Sequence, residues 1–103
     1  MTESRPTMTV DFSSVRNFHE RAVFEAVASN ASRYPGLAGD AELLADVACV
    51  ALNRMPSRYM RHEVDFAFYQ SDKERAEIEH QLAEAVEFAF GFVQARTAMR
   101  ARG

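Results

Sequence analysis

Pro35 and Pro56 cut the chain into three stretches, and each carries apolar residues at helical spacing. Proline lacks a backbone donor and crowds the preceding turn, so helices tend to end at or before it. Upstream of Pro35, the residues Val15, Phe18, Ala22, Val23, Ala26 and Val27 form a stripe that predicts a first helix over 14–32. Asn17 followed by Glu20 has the form of a capping box at its start. Tyr34-Pro35-Gly36 ends it. Between the prolines, Asp40 is a natural N-cap for a second helix. Leu43, Leu44, Val47, Val50 and Ala51 face inward along it, and it ends near Arg54 or Met55.

Beyond Pro56 the period changes. Val64, Phe66 and Phe68 alternate with Glu63, Asp65 and Ala67, which fits a short extended piece or a structured loop with aromatic plugs. Ser71-Asp72-Lys73-Glu74 is another capping box and opens a long helix expected over 72–97. Ile78, Leu82, Ala85, Ala89 and Phe92 step by four and three along it, widened by Val86 and Val93. Phe88 and Phe90 fall off that stripe, so a further surface must cover them, and a second subunit could supply it. The expected fold is mostly all-α: a small helical domain of three main helices, with a structured loop or short extended segment before the long C-terminal helix. It occupies 13–97, between a disordered N-terminal tail (1–12) and a frayed C-terminal tail (98–103).

At 103 residues this is one domain, small enough that association into a homodimer would add useful buried surface. The single cysteine, Cys49, rules out a disulfide within one chain and fits a reducing compartment. It is expected to be a buried packing thiol on the second helix. The sequence shows no apolar run of membrane-spanning length and no signal-peptide pattern near its start, so a cytoplasmic, non-membrane protein is expected. A net charge of −3 argues against a general grip on long DNA or RNA.

The charge is nevertheless uneven. Residues 54–62 carry three arginines and no acid, and both flanks are acidic. Within ten residues, Asn53, Arg54, Arg58, Tyr59, Arg61 and His62 assemble three guanidiniums, an amide, a phenol and an imidazole. Arginine forks take phosphate oxygens and guanine edges in pairs, and guanidinium planes and tyrosine rings stack on bases. That set suits a compact anionic purine nucleotide. The plainer alternative is that these arginines pair with Asp46, Glu63, Asp65 and the acids of the long helix. No GxSxG elbow, glycine-rich phosphate loop or HExxH pair is present. His62 with Glu63 and Asp65 could in principle hold a metal, yet a convergent set of three or four ligands cannot be named. Neither a catalytic site nor a cofactor is expected.

The segment 46–59, DVACVALNRMPSRY, resembles the signature of the ComFB family of late competence development proteins, which reads roughly DVxxxALNxLPPxY. Asn17-Phe18-His19-Glu20 followed by Val23 resembles that family's opening helix motif, and 61–69 looks like a proteobacterial version of the following loop. The resemblance spans about 14–93 and departs mildly at Met55 and Ser57. It implies a small helical homodimer. It also implies a receptor for cyclic dinucleotides, cyclic di-GMP or cyclic di-AMP, as in cyanobacterial relatives. Bacillus-type members carry a cysteine-based zinc site, which one cysteine cannot build.

Together these features predict a non-catalytic second-messenger sensor. Arg54, Arg58 and Arg61 would take phosphates or guanine edges, and Tyr59, with Phe66 or Tyr69, would stack on a base. Asn53, His62 and Asp65 (or Asp46) would read a base edge. The alternative is a ligand-free dimeric protein-interaction module in competence or surface behaviour, acting on a downstream protein partner that the sequence does not identify.

Overall fold

The computed structural model describes residues 9–62 and 71–102. The expected helical domain is there. A two-residue strand β1 (Arg16–Asn17) leads into helix α1 (Glu20–Asn30), then a 3-10 turn (Ala31–Arg33) and a short helix α2 (Pro35–Ala38). Helix α3 (Ala41–Arg54) and strand β2 (Tyr59–Met60) follow, and the long helix α4 (Asp72–Arg102) closes the chain. The alternation over 63–69, and with it Asp65, Phe66 and Tyr69, lies outside the described residues.

The caps explain most boundaries. Asp40 Oδ1 accepts from the Leu43 N–H at 3.1 Å and fixes the start of α3. Ser71 and Glu74 close a reciprocal box on α4, with Glu74 N–H donating to Ser71 Oγ at 3.1 Å and Ser71 N–H to Glu74 Oε1 at 2.9 Å. Pro35 does end the first helical stretch, but it also starts α2 from its first position, where its missing N–H costs nothing. The first helix begins at Glu20 rather than Ser14, because Arg16–Asn17 is drawn off into a ladder with Tyr59–Met60. At the far end α4 runs on to Arg102, past the expected stop near 97.

Three helices enclose one core. Val23 and Val27 of α1, Val47, Ala48 and Ala51 of α3, and Ala85, Val86, Ala89, Phe90 and Val93 of α4 meet there with Leu37 and Met55. The pairing of α3 with α4 is the most extensive, and Arg96 Nη2 bonds Asp46 Oδ2 across it at 3.0 Å. Asp46 thus pairs with Arg96 of α4. The aromatic expectation for α4 is corrected. Phe90 is fully buried, its ring stacked on Tyr34 at 4.2 Å and 3°. Phe92, expected inside, is 46% exposed, and Phe88 is 40% exposed beside it. Cys49 is also corrected: its side chain is exposed.

Candidate functional site

The segment after α3 is held down by the residues that open α1. Strands β1 and β2 pair antiparallel, with Arg16 opposite Met60 and Asn17 opposite Tyr59. Phe18 N–H donates to the Arg58 carbonyl. Asn17, itself buried, turns its Oδ1 to two backbone donors, His19 N–H at 3.3 Å and Arg58 N–H at 3.1 Å. Glu20 completes half of the expected capping box, accepting from Asn17 N–H at 3.3 Å. The other half is replaced, because the Asn17 oxygen serves His19 and Arg58 instead of the Glu20 N–H.

His19 lies beneath this clamp, almost fully buried and edge-on to Phe18. Burial pushes its pKa below the ordinary histidine value, while a hydrogen bond with the Pro56 carbonyl acts in the opposite direction; the charge of Arg58 adds to the downward shift. A neutral ring fits a site that must tolerate an arginine next to it. Pro56 and Arg58 are therefore tied to α1 through side chains and backbone at once.

This clamp brings together arginines that are distant in sequence. Arg58 and Arg61 are exposed on either side of β2, and the ladder sets Arg16 beside them. Arg21 joins Arg16, Asn17, Glu20 and Met60 around a small adjacent hollow. His62 is exposed at the end of the described segment. Arg58 also faces the start of α4: the Glu74 carboxyl is held below its usual pKa chiefly by its hydrogen bonds with Ser71, with Arg58 adding to the effect. Arg54 points elsewhere, with its guanidinium 3.7 Å above the centre of the Phe88 ring.

On the other side of Tyr59 a groove of about 700 Å³ opens between α1 and α3. Its floor and walls are apolar, with Phe24, Val27, Leu44, Ala48 and Leu52 among them, and Cys49 opens onto it. Asn17, Glu20, Asn53, Ser57 and Tyr59 supply the polar part of its lining. Of the residues singled out by sequence, Asn53 and Tyr59 reach this groove. Arg54, Arg58, Arg61 and His62 do not line it. Sequence reading missed Arg16, Glu20, Arg21 and Phe24. The clamp brings the first three to the loop, and it rests on pairing across 41 residues. Phe24, 52% exposed on a helix whose other large apolar side chains turn inward, was the one detectable signal.

Among the described residues no three His, Cys, Asp or Glu side chains gather to hold a metal ion, and Glu63 and Asp65 lie outside them. No helix among those residues is long and apolar enough to cross a membrane.

The family model for the late competence development protein ComFB matches residues 16–97. The chain belongs to the ComFB family. The match begins on β1 and ends in α4, so it takes in the clamp, the groove and the core as one unit. No curated protein and no solved structure matches the chain.

Proposed function

We propose that this ComFB-family chain is a non-catalytic cytoplasmic sensor that binds a cyclic dinucleotide, cyclic di-GMP or cyclic di-AMP. One juxtaposition supports the reading: strand pairing holds 58–61, with the exposed Arg58, Tyr59 and Arg61, against Arg16–Asn17, and Tyr59 lines a groove that also holds Asn53. Guanidiniums take the two phosphates, and an aromatic ring takes a base. His62 is close enough in sequence to assist, and Asp65, Phe66 and Tyr69 belong to the same proposal. Arg54 contributes through the α3–α4 packing that it shares with Phe88.

Calorimetry on the purified protein tests it. Heat is expected with one of the two ligands at about 100 μM, a concentration that corresponds to only about −5.5 kcal/mol. Arg58→Ala and Arg61→Ala should each weaken binding about tenfold or more, as for hydrogen bonds to charged groups. Each should shift fold stability by no more than about 0.5 kcal/mol. Lysine at either position should restore binding only in part. Absence of heat with both ligands rejects the reading.

A second reading, a dimeric interaction module, is favoured by the outer face of α4. Phe88, Phe92, Ala95 and Met99 follow one another at spacings of four, three and four, and the three large ones are 40%, 46% and 68% exposed. Such a seam is what one helix offers another, and two-fold pairing is its commonest use. Sedimentation at tens of micromolar should give a dimer mass, and Phe88→Ser with Phe92→Ser should shift it to monomer. A monomer mass for the unaltered chain ends the dimer proposal. A dimer that binds neither nucleotide leaves the interaction module, with a downstream protein as its target.

A further inference from the structure

The α1–α3 groove shares Tyr59 and Asn53 with the arginine segment and extends beyond them along α1 and α3. It presents two rings that are more than half exposed, Phe24 at 52% and Tyr59 at 70%. Exposed rings lining one groove are a stacking surface for a planar base. The apolar residues behind them suit the body of such a base, and the phosphates stay outside with the arginines.

The groove lining also carries a carboxylate, Glu20. One of its oxygens accepts the Asn17 N–H at 3.3 Å. The other oxygen can accept again, since an ionised carboxylate is an acceptor at both. A guanine edge offers N1–H and N2–H₂, two donors side by side. An adenine edge offers an acceptor, N1, beside its N6 donor. A carboxylate therefore matches guanine and repels the adenine N1 lone pair.

We infer that the α1–α3 groove is the base-binding half of the site and that Glu20 selects guanine over adenine within it. The inference rests on the proposed cyclic dinucleotide binding and adds its specificity. Asn53 lines the same groove, its amide nitrogen donating to the Cys49 carbonyl at 3.1 Å. Discrimination comes from unmatched polar groups rather than from shape, because the two purines are of nearly equal size.

Glu20→Gln is the decisive variant. Glutamine can still accept the Asn17 N–H, as capping boxes use either residue, so the start of α1 is kept. It replaces an acceptor by an amide donor in the groove lining. Calorimetry and melting curves would be run on the full chain with cyclic di-GMP and with cyclic di-AMP. The unaltered chain should prefer cyclic di-GMP. Glu20→Gln should weaken cyclic di-GMP roughly ten- to hundredfold, the range of a hydrogen bond to a charged group, and leave cyclic di-AMP unchanged or tighter. Phe24→Ser should weaken both ligands, because stacking does not distinguish purines, and its melting temperature should stay near that of the unaltered chain. A chain that binds both ligands equally, prefers cyclic di-AMP, or keeps its preference in Glu20→Gln overturns the guanine assignment while the sensor reading stands. Unchanged binding in Phe24→Ser overturns the groove as the base site. A chain that binds neither nucleotide removes the sensor reading and this one together.

Discussion

Phe90→Ala should lower the stability of the domain by about 3–5 kcal/mol, the largest loss expected of any single core truncation here. Phe90 has no exposed surface, stacks on Tyr34 at 4.2 Å, and stands where α4 meets the 3-10 turn and α2. Truncation therefore leaves a cavity and also removes a ring pair with its own preferred geometry. A domain of this size has only about 5–15 kcal/mol to lose, so the variant should melt tens of degrees lower or fail to fold. Phe92→Ala, two residues on, should cost about 1 kcal/mol or less in the monomer, because its ring is 46% exposed. Urea titration of the two variants side by side measures the contrast. Equal losses would mean that α4 is rotated from the position described.

The same pair of rings shows how far the sequence could be read. Helix α4, its capping box and the boundaries of α3 were legible because each depends on residues within four positions of one another. The inward face of α4 was legible only in part. Steps of four and three from Ile78 follow a repeat of 3.5 residues, whereas a straight helix turns once in 3.6. The mismatch accumulates to about 40° over the two heptads from Ile78 to Phe92. That drift carries Phe92 to the outside and leaves Val93 and Phe90 in the core. Cys49 was misjudged for another reason, its residue type, which favours burial whatever the helix position. It lies two residues, about 200°, beyond the buried Val47, and so it points into the α1–α3 groove. Of the candidate site, the basic segment was visible because it is continuous. The clamp was not, since it joins Asn17 to Arg58, and no local pattern announces a pairing of that separation. Glu20 looked like a capping residue and is one. Its second position, in the lining of a groove, exists only once α3 packs beside α1.

Asn17→Ala should separate the structural role of the clamp from the role of the arginines it carries. The buried Asn17 oxygen accepts from both His19 N–H and Arg58 N–H. Alanine leaves those donors without that acceptor inside a part-buried turn, at a cost of about 1–3 kcal/mol. It also releases the side-chain tie between the start of α1 and the residues around β2. Ordering each freed residue again on binding costs about 1–2 kcal/mol, so nucleotide affinity should fall further than the loss of any one contact would suggest. Arg58→Ala removes a guanidinium and keeps the backbone N–H, so its hydrogen bond to Asn17 survives. Asn17→Ala should therefore lower both stability and affinity, whereas Arg58→Ala should lower affinity far more than stability. Asn17→Asp keeps an acceptor oxygen at the same place and adds a negative charge just before the N-terminus of α1, where such a charge is favourable. It should regain most of the lost stability. Thermal melts and calorimetry on the three variants read the two quantities independently. If Asn17→Ala melts with the unaltered chain, the 57–60 segment is held by its strand pairing alone, and the arginines need no side-chain clamp to stay in place.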